Sequence, residues 1–247
     1  MNLMNCKNQP GRISQMNIAH YIDHTLLKPD ATVSQIKELC EEAKQYKFHS
    51  VCVNPCRVYQ CLQALYGTGV KICSVIGFPL GANDVRIKLA EATTALDDGA
   101  NELDLVINIG YLLSNDLLFI TEEIGMIANV THRKGSLLKV IIETGLLTDE
   151  QKIIACKLAA RAGADFVKTC TGFNGGQATL EDIKLMRATV GPKVRVKASG
   201  SIRDYATAMA MIEAGASRIG TSSGVKIAME ELETLADRFN GRLEAGE

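Results

Sequence analysis

Two lysines in the chain close short apolar runs: Asp165-Phe-Val-Lys168 and Lys193-Val-Arg-Val-Lys197. A third run, Glu102-Leu-Asp-Leu-Val-Ile-Asn108, alternates acids with aliphatic residues and carries Asp104. Along a strand, successive side chains point to opposite faces. If Leu103, Leu105, Val194 and Val196 face one layer, then Asp104, Arg195 and Lys197 face the other. An unpaired buried charge is costly, so these groups must find opposite partners. One reading is a structural salt-bridge network, which suits Glu102, Arg195 and Lys139. It suits Lys168 and Lys197 poorly, because both stand at strand ends. The other reading is covalent chemistry. A lysine amine attacks a carbonyl only when neutral, which is rare at an ordinary pKa near ~10.4. Desolvation and a neighbouring cation both favour the neutral form. One lysine would form an imine, the second would keep its charge, and Asp104 would shuttle protons. That is the chemistry of an imine-forming aldolase.

These residues need a scaffold that brings strand ends together. Short β-branched runs occur at His20–His24, Ser50–Val53, Val70–Ile76, Glu102–Asn108, Leu137–Glu143, Asp165–Thr169, Val194–Lys197 and Ser217–Thr221. Between most of them lie stretches of helical period: Thr32–Tyr46, Asp84–Asp97, Asp116–Arg133, Asp149–Ala162, Leu180–Val190, Asp204–Ala214 and Gly224–Phe239. Capping residues open several of these; Gly163 and Gly215 each follow one directly, and Gly99 follows one after a single residue. The repeated helix–Gly-Ala–strand junction is that of a β/α repeat. The expected fold is therefore α/β, a single (β/α)8 TIM barrel over residues 17–240. A flexible N-terminal tail is expected over residues 1–16 and a C-terminal tail over 241–247. A doubly wound sheet would want a Gly-rich first turn, and none follows the first two runs.

Barrel active sites lie at the C-terminal ends of the strands, often with a phosphate held by the loops after the last two. Those loops read Ala198-Ser199-Gly200-Ser201 and Gly220-Thr221-Ser222-Ser223-Gly224. Glycine permits close backbone approach and serine adds donors, though both are also ordinary turn residues. Thr171 and Gly172, just after Lys168, face the same problem from a third side. The four histidines show no metal-ligand spacing, so metal catalysis is not expected. The eight cysteines form no C-x-x-C pair, and several lie in apolar runs, which suggests a reducing, cytoplasmic setting. With 27 basic and 28 acidic residues, the chain lacks the cationic excess that bulk nucleic-acid binding needs. No apolar run reaches the ~18–20 residues of a membrane span.

Taken in order, these motifs resemble the deoxyribose-phosphate aldolases, a family of class I aldolases. The resemblance runs from Ile18 to about Ala236 and rests on several ordered segments. They include Ile22-Asp-His-Thr-Leu-Leu-Lys28, Ile76-Gly-Phe-Pro-Leu-Gly81, Lys139-Val-Ile-Ile-Glu-Thr-Gly145, Ala164-Asp-Phe-Val-Lys-Thr-Cys-Thr-Gly-Phe173 and Val196-Lys-Ala-Ser-Gly200. It implies Lys168 as the Schiff-base nucleophile, with Lys197 and Asp104 as proton donors and acceptors. Thr171, Gly172, Gly200, Ser201, Gly220, Ser222 and Ser223 would bind the substrate and its phosphate. The implied reaction is reversible cleavage of 2-deoxy-D-ribose 5-phosphate to D-glyceraldehyde 3-phosphate and acetaldehyde, in deoxyribonucleoside breakdown. It needs no metal or organic cofactor, and a dimer or tetramer is expected. Three departures stand out: Ser201 where the family usually has a second glycine, Cys170 where serine is common, and no tyrosine after Tyr205. The rival readings are a transaldolase-like enzyme and an inactive barrel that binds sugar phosphates.

Overall fold

The computed structural model describes residues 17–245. The expectation for residues 1–16 lies outside the described residues. Eight parallel strands close in sequence order into a barrel. They are β1 (Ile22–Leu26), β2 (Ser50–Val53), β3 (Lys71–Ile76), β4 (Glu102–Val106), β5 (Leu137–Ile141), β6 (Phe166–Lys168), β7 (Arg195–Ser199) and β8 (Arg218–Thr221). Around them run α1 (Val33–Tyr46), α2 (Val58–Leu65), α3 (Val85–Asp97), α4 (Ile109–Leu113) and α5 (Leu117–Arg133). The ring is completed by α6 (Asp149–Arg161), α7 (Leu180–Val190), α8 (Tyr205–Glu213) and α9 (Gly224–Ala245). This is a (β/α)8 barrel.

Local chemistry explains the helix limits. Thr32 and Thr148 each form a reciprocal capping box, with Gln35 and Gln151 respectively. Asp84, Asp116, Thr179 and Asp204 accept bonds from backbone amides of the first helical turn. The first strand begins later than its sequence pattern suggests. Ile18–Tyr21 form a short 3-10 helix capped by Asn17, so His20 and Tyr21 precede β1. Helices α2 and α4 had no counterpart in the sequence pattern. Helix α2 has only Val58, Cys61 and Leu65 as its buried stripe, and α4 buries Ile109 and Leu112. Such short segments show too few turns to declare a 3.6-residue period. Helix α9 continues past Phe239 to Ala245, into the stretch set apart as a tail.

The main core lies between barrel and helices and takes in the outward residues Leu103, Leu105, Val194 and Val196. A second, smaller cluster of Leu27, Cys52, Cys73 and Val75 fills part of the lumen, with Phe78 against it. The inward residues of β4 to β8 are largely charged. Register decides which of them meet. Asp104 pairs across the ladder with Lys139, Lys168 with Lys197, and Lys197 with Arg218. Parallel pairing thus sets four cationic side chains at neighbouring heights in one lumen.

Candidate functional site

Asp104 is the hub of these charges. It is fully buried, and three ammonium groups converge on its two carboxylate oxygens. Oδ2 accepts from Lys168 Nζ and from Lys197 Nζ, each at 2.8 Å, and Oδ1 accepts from Lys139 Nζ at 2.8 Å. Lys197 also donates to Asp23 Oδ2 at 2.5 Å, and Lys139 reaches Glu102 Oε2 at 2.7 Å. Arg218 closes the network from below, 2.8 Å from Asp23 Oδ1 and 3.2 Å from Glu102 Oε2. The salt-bridge reading and the catalytic reading therefore describe one continuous cluster. Its lower cation differs from expectation. Arg195 lies over the Phe166 ring, 4.1 Å from the centroid, and Arg218 takes the carboxylates instead.

The cluster holds four cationic groups, Lys139, Lys168, Lys197 and Arg218, against the three carboxylates of Asp23, Glu102 and Asp104. Burial alone would raise the Asp104 pKa, but Lys139, Lys168 and Lys197 hold it well below the usual carboxylate range. Burial alone would lower the Lys197 pKa, but Asp104 and Asp23 hold it above the ordinary lysine range. Lys139 is raised in the same way, against its own burial, by Asp104, Cys73 and Glu102. Glu102, resisted by burial, is drawn down to about 2 by Lys139 and a hydrogen bond from His49.

These carboxylates tie stability to acid. Their folded-state pKa values lie below the unfolded ones, so their contribution is complete above the unfolded values and is lost as pH falls. For Glu102 the loss spans 4.5 down to about 2. For Asp23 and Asp104 it starts at 3.8 and extends further down. Denaturant titrations should show stability dropping steeply below about pH 4, with a shallower slope in Glu102→Gln.

Beside this cluster, at the C-terminal end of the strands, a cavity of about 260 Å³ opens against Lys168. Thr171, Gly172, Gly200, Ser201, Gly220 and Ser222 all line it. Ser223 does not, and lines instead a neighbouring cleft between α1 and α9, its amide held by Thr221 Oγ1 at 2.9 Å. Two exposed cations, Lys28 and Arg203, also line the cavity. Gly220 leaves room for the lysine: a Cβ there would stand 3.0 Å from Lys197 Cε. Ser201, by contrast, adopts a φ of +61°, a conformation that glycine takes without a steric penalty. The glycine that the resemblance puts at this point would meet this backbone geometry without strain.

Cys52, Cys73 and Asp104 are grouped closely enough to offer a metal three ligand atoms, all within 4.8 Å of one another. The surroundings oppose it. Asp104 already receives three ammonium groups, and Lys139 also stands 3.2 Å from Cys73 Sγ, so an entering cation would meet like charge.

Residues 17–229 match the model of the DeoC/LacD family aldolases. The chain is 59% identical over 213 residues to the deoxyribose-phosphate aldolase of Brevibacillus brevis, covering 86% of this chain and 95% of that protein. It is 58% identical over 214 residues to that of Thermococcus gammatolerans, covering 86% and 95%. Among solved structures it superposes on a tetrameric deoxyribose phosphate aldolase from Aeropyrum pernix with a TM-score of 0.82 and 37% identity. That match covers 88% of this chain and 92% of the other. Barrel, charged lumen and near full-length kinship agree: the chain is an enzyme of the DeoC/LacD aldolase family.

Proposed function

We propose that the enzyme reversibly cleaves 2-deoxy-D-ribose 5-phosphate to D-glyceraldehyde 3-phosphate and acetaldehyde through a Schiff base on Lys168. The observation that carries this reading is the sharing of Asp104 Oδ2 by Lys168 and Lys197, beside a cavity that only Lys168 of the two lines. The buried cluster has one more cation than it has carboxylates, which favours one neutral amine among its lysines. Lys139 and Lys197 each reach two carboxylates within 2.8 Å, and Arg218 remains charged. Lys168 has the single partner Asp104 and faces the cavity.

In the cleavage direction the neutral Lys168 amine attacks the C1 aldehyde of the open-chain sugar. The carbinolamine takes up a proton and loses water to give the iminium. The C3 hydroxyl gives up its proton, the C2–C3 bond breaks, and its electron pair enters the iminium as an enamine. Glyceraldehyde 3-phosphate departs. The enamine is then protonated at C2, and water hydrolyses the iminium to acetaldehyde and free Lys168. Lys197 supplies and recovers protons, and Asp104 Oδ2, 2.8 Å from both amines, lets a proton pass between them across one oxygen. The phosphate is assigned to the loops of Thr171, Gly172, Gly200, Ser201, Gly220 and Ser222, with Ser223 on the far side of the same β8–α9 turn.

The reading also includes a role in deoxyribonucleoside breakdown, a cytoplasmic setting in keeping with the seven described free cysteines, and a homo-oligomer. A substrate panel tests it. Purified enzyme should release acetaldehyde from 2-deoxyribose 5-phosphate and rebuild that sugar from acetaldehyde and glyceraldehyde 3-phosphate. Transfer of a three-carbon ketol unit with no acetaldehyde would favour a transaldolase-like enzyme, and binding without turnover a regulatory barrel.

A further inference from the structure

The turn after β5 holds a buried carboxylate that the proposed chemistry does not use. Glu143 is fully buried, yet among the described residues no cation pairs with it. Its backbone adopts a φ of +56° without being glycine. All its side-chain partners are neutral donors of one loop, the segment between β6 and α7. Thr171 donates its amide to Oε1 at 3.2 Å and its hydroxyl to Oε2 at 2.7 Å, and Asn174 Nδ2 donates to Oε2 at 3.0 Å. The same Asn174 nitrogen reaches Pro79 O, in the loop after β3, at 3.2 Å. The Thr171 hydroxyl in turn accepts from the Phe173 amide at 3.1 Å, and the Phe173 ring meets Phe78 edge-on at 5.1 Å. Thr171, Gly172 and Phe173 form one wall of the cavity beside Lys168. Buried carboxylate oxygens need such donors, and here all of them belong to the loop that carries the wall.

We infer that Glu143 is a positioning residue that sets this wall, fixing Gly172 and Phe173 through Thr171 and joining the wall to the loop after β3 through Asn174. It acts on how the phosphorylated substrate is seated, and it leaves the Lys168 amine itself alone. This rests on the function proposed above. Glu143→Gln keeps the shape but turns an acceptor into a donor facing donors, and Asn174→Ala removes one arm of the bridge. In both variants KM for 2-deoxyribose 5-phosphate should rise, about tenfold in the first and less in the second, with kcat within about threefold. Borohydride trapping of acetaldehyde alone, which needs no phosphate seat, should proceed at the wild-type rate. An unchanged KM in both variants overturns the inference, as does acetaldehyde trapping that falls in step with turnover. If Glu143→Gln does not fold, Asn174→Ala decides by the same readouts. A wild-type enzyme inactive on 2-deoxyribose 5-phosphate would remove the functional reading itself, and this inference with it.

Discussion

Asp104→Asn should lower turnover by about 10²–10⁴-fold and destabilise the fold by roughly 3–5 kcal/mol. The two effects share a cause. The side chain is fully buried and serves Lys139, Lys168 and Lys197 at once, so losing its charge leaves the cluster with four cationic groups against two carboxylates. Removing one member of a buried ion network costs far more than a surface pair, because the remaining charges stay buried without compensation. The amide also turns a donor toward ammonium groups. Catalysis suffers separately, since Lys168 and Lys197 lose the oxygen that joins them. Equilibrium unfolding and steady-state kinetics on the same preparation read both effects. Full turnover in a destabilised variant would reduce Asp104 to a structural role.

Lys197→Met tests the electrostatic half of the proposal. It leaves three cationic groups facing three carboxylates, so the surplus positive charge that favours a neutral lysine disappears. Asp23 keeps Arg218, and Asp104 keeps Lys139 and Lys168, so no carboxylate is stranded and the fold should survive. Turnover at neutral pH should fall by about 10²–10⁴-fold. Loss of turnover with the fold retained, read by steady-state kinetics and equilibrium unfolding on one preparation, is the expected signature. Retained activity at neutral pH would contradict the role assigned to Lys197.

Much of this site was legible in the chain because a parallel barrel strand covered by helices should be apolar, and Glu102–Val106 and Arg195–Ser199 are not. Period-2 alternation tells which side chains share a face, and strand ends tell which of them approach the mouth. Those two rules put Lys168, Lys197 and Asp104 on the inward face and Lys168 at the mouth. Lys197, however, does not close its strand: β7 runs on to Ser199, and Lys197 stands in its middle, below the cavity that Lys168 lines. The two rules do not say which strand lies beside which height of its neighbour. Choosing Arg218 over Arg195 as partner for Glu102 depends on the β7–β8 register and on closure of β8 against β1. Glu143 was hidden for another reason. It follows β5 and reads as sharing a face with Lys139 and Ile141, but its left-handed backbone turns it toward the β6–α7 loop. Ser223 shares a loop with Ser222 yet faces another cleft, because α9 begins at the next residue. Lys28 and Arg203 escaped notice since exposed cations beside turns are commonplace, and only the cavity gives them a common address.

The most direct test of the central claim is borohydride reduction of the enzyme in the presence of 2-deoxyribose 5-phosphate or acetaldehyde, followed by peptide mass mapping. A Schiff base on Lys168 predicts irreversible inactivation and one reduced adduct, on the peptide that contains Lys168. No adduct, or an adduct on Lys197, Lys139 or any other residue, would contradict it.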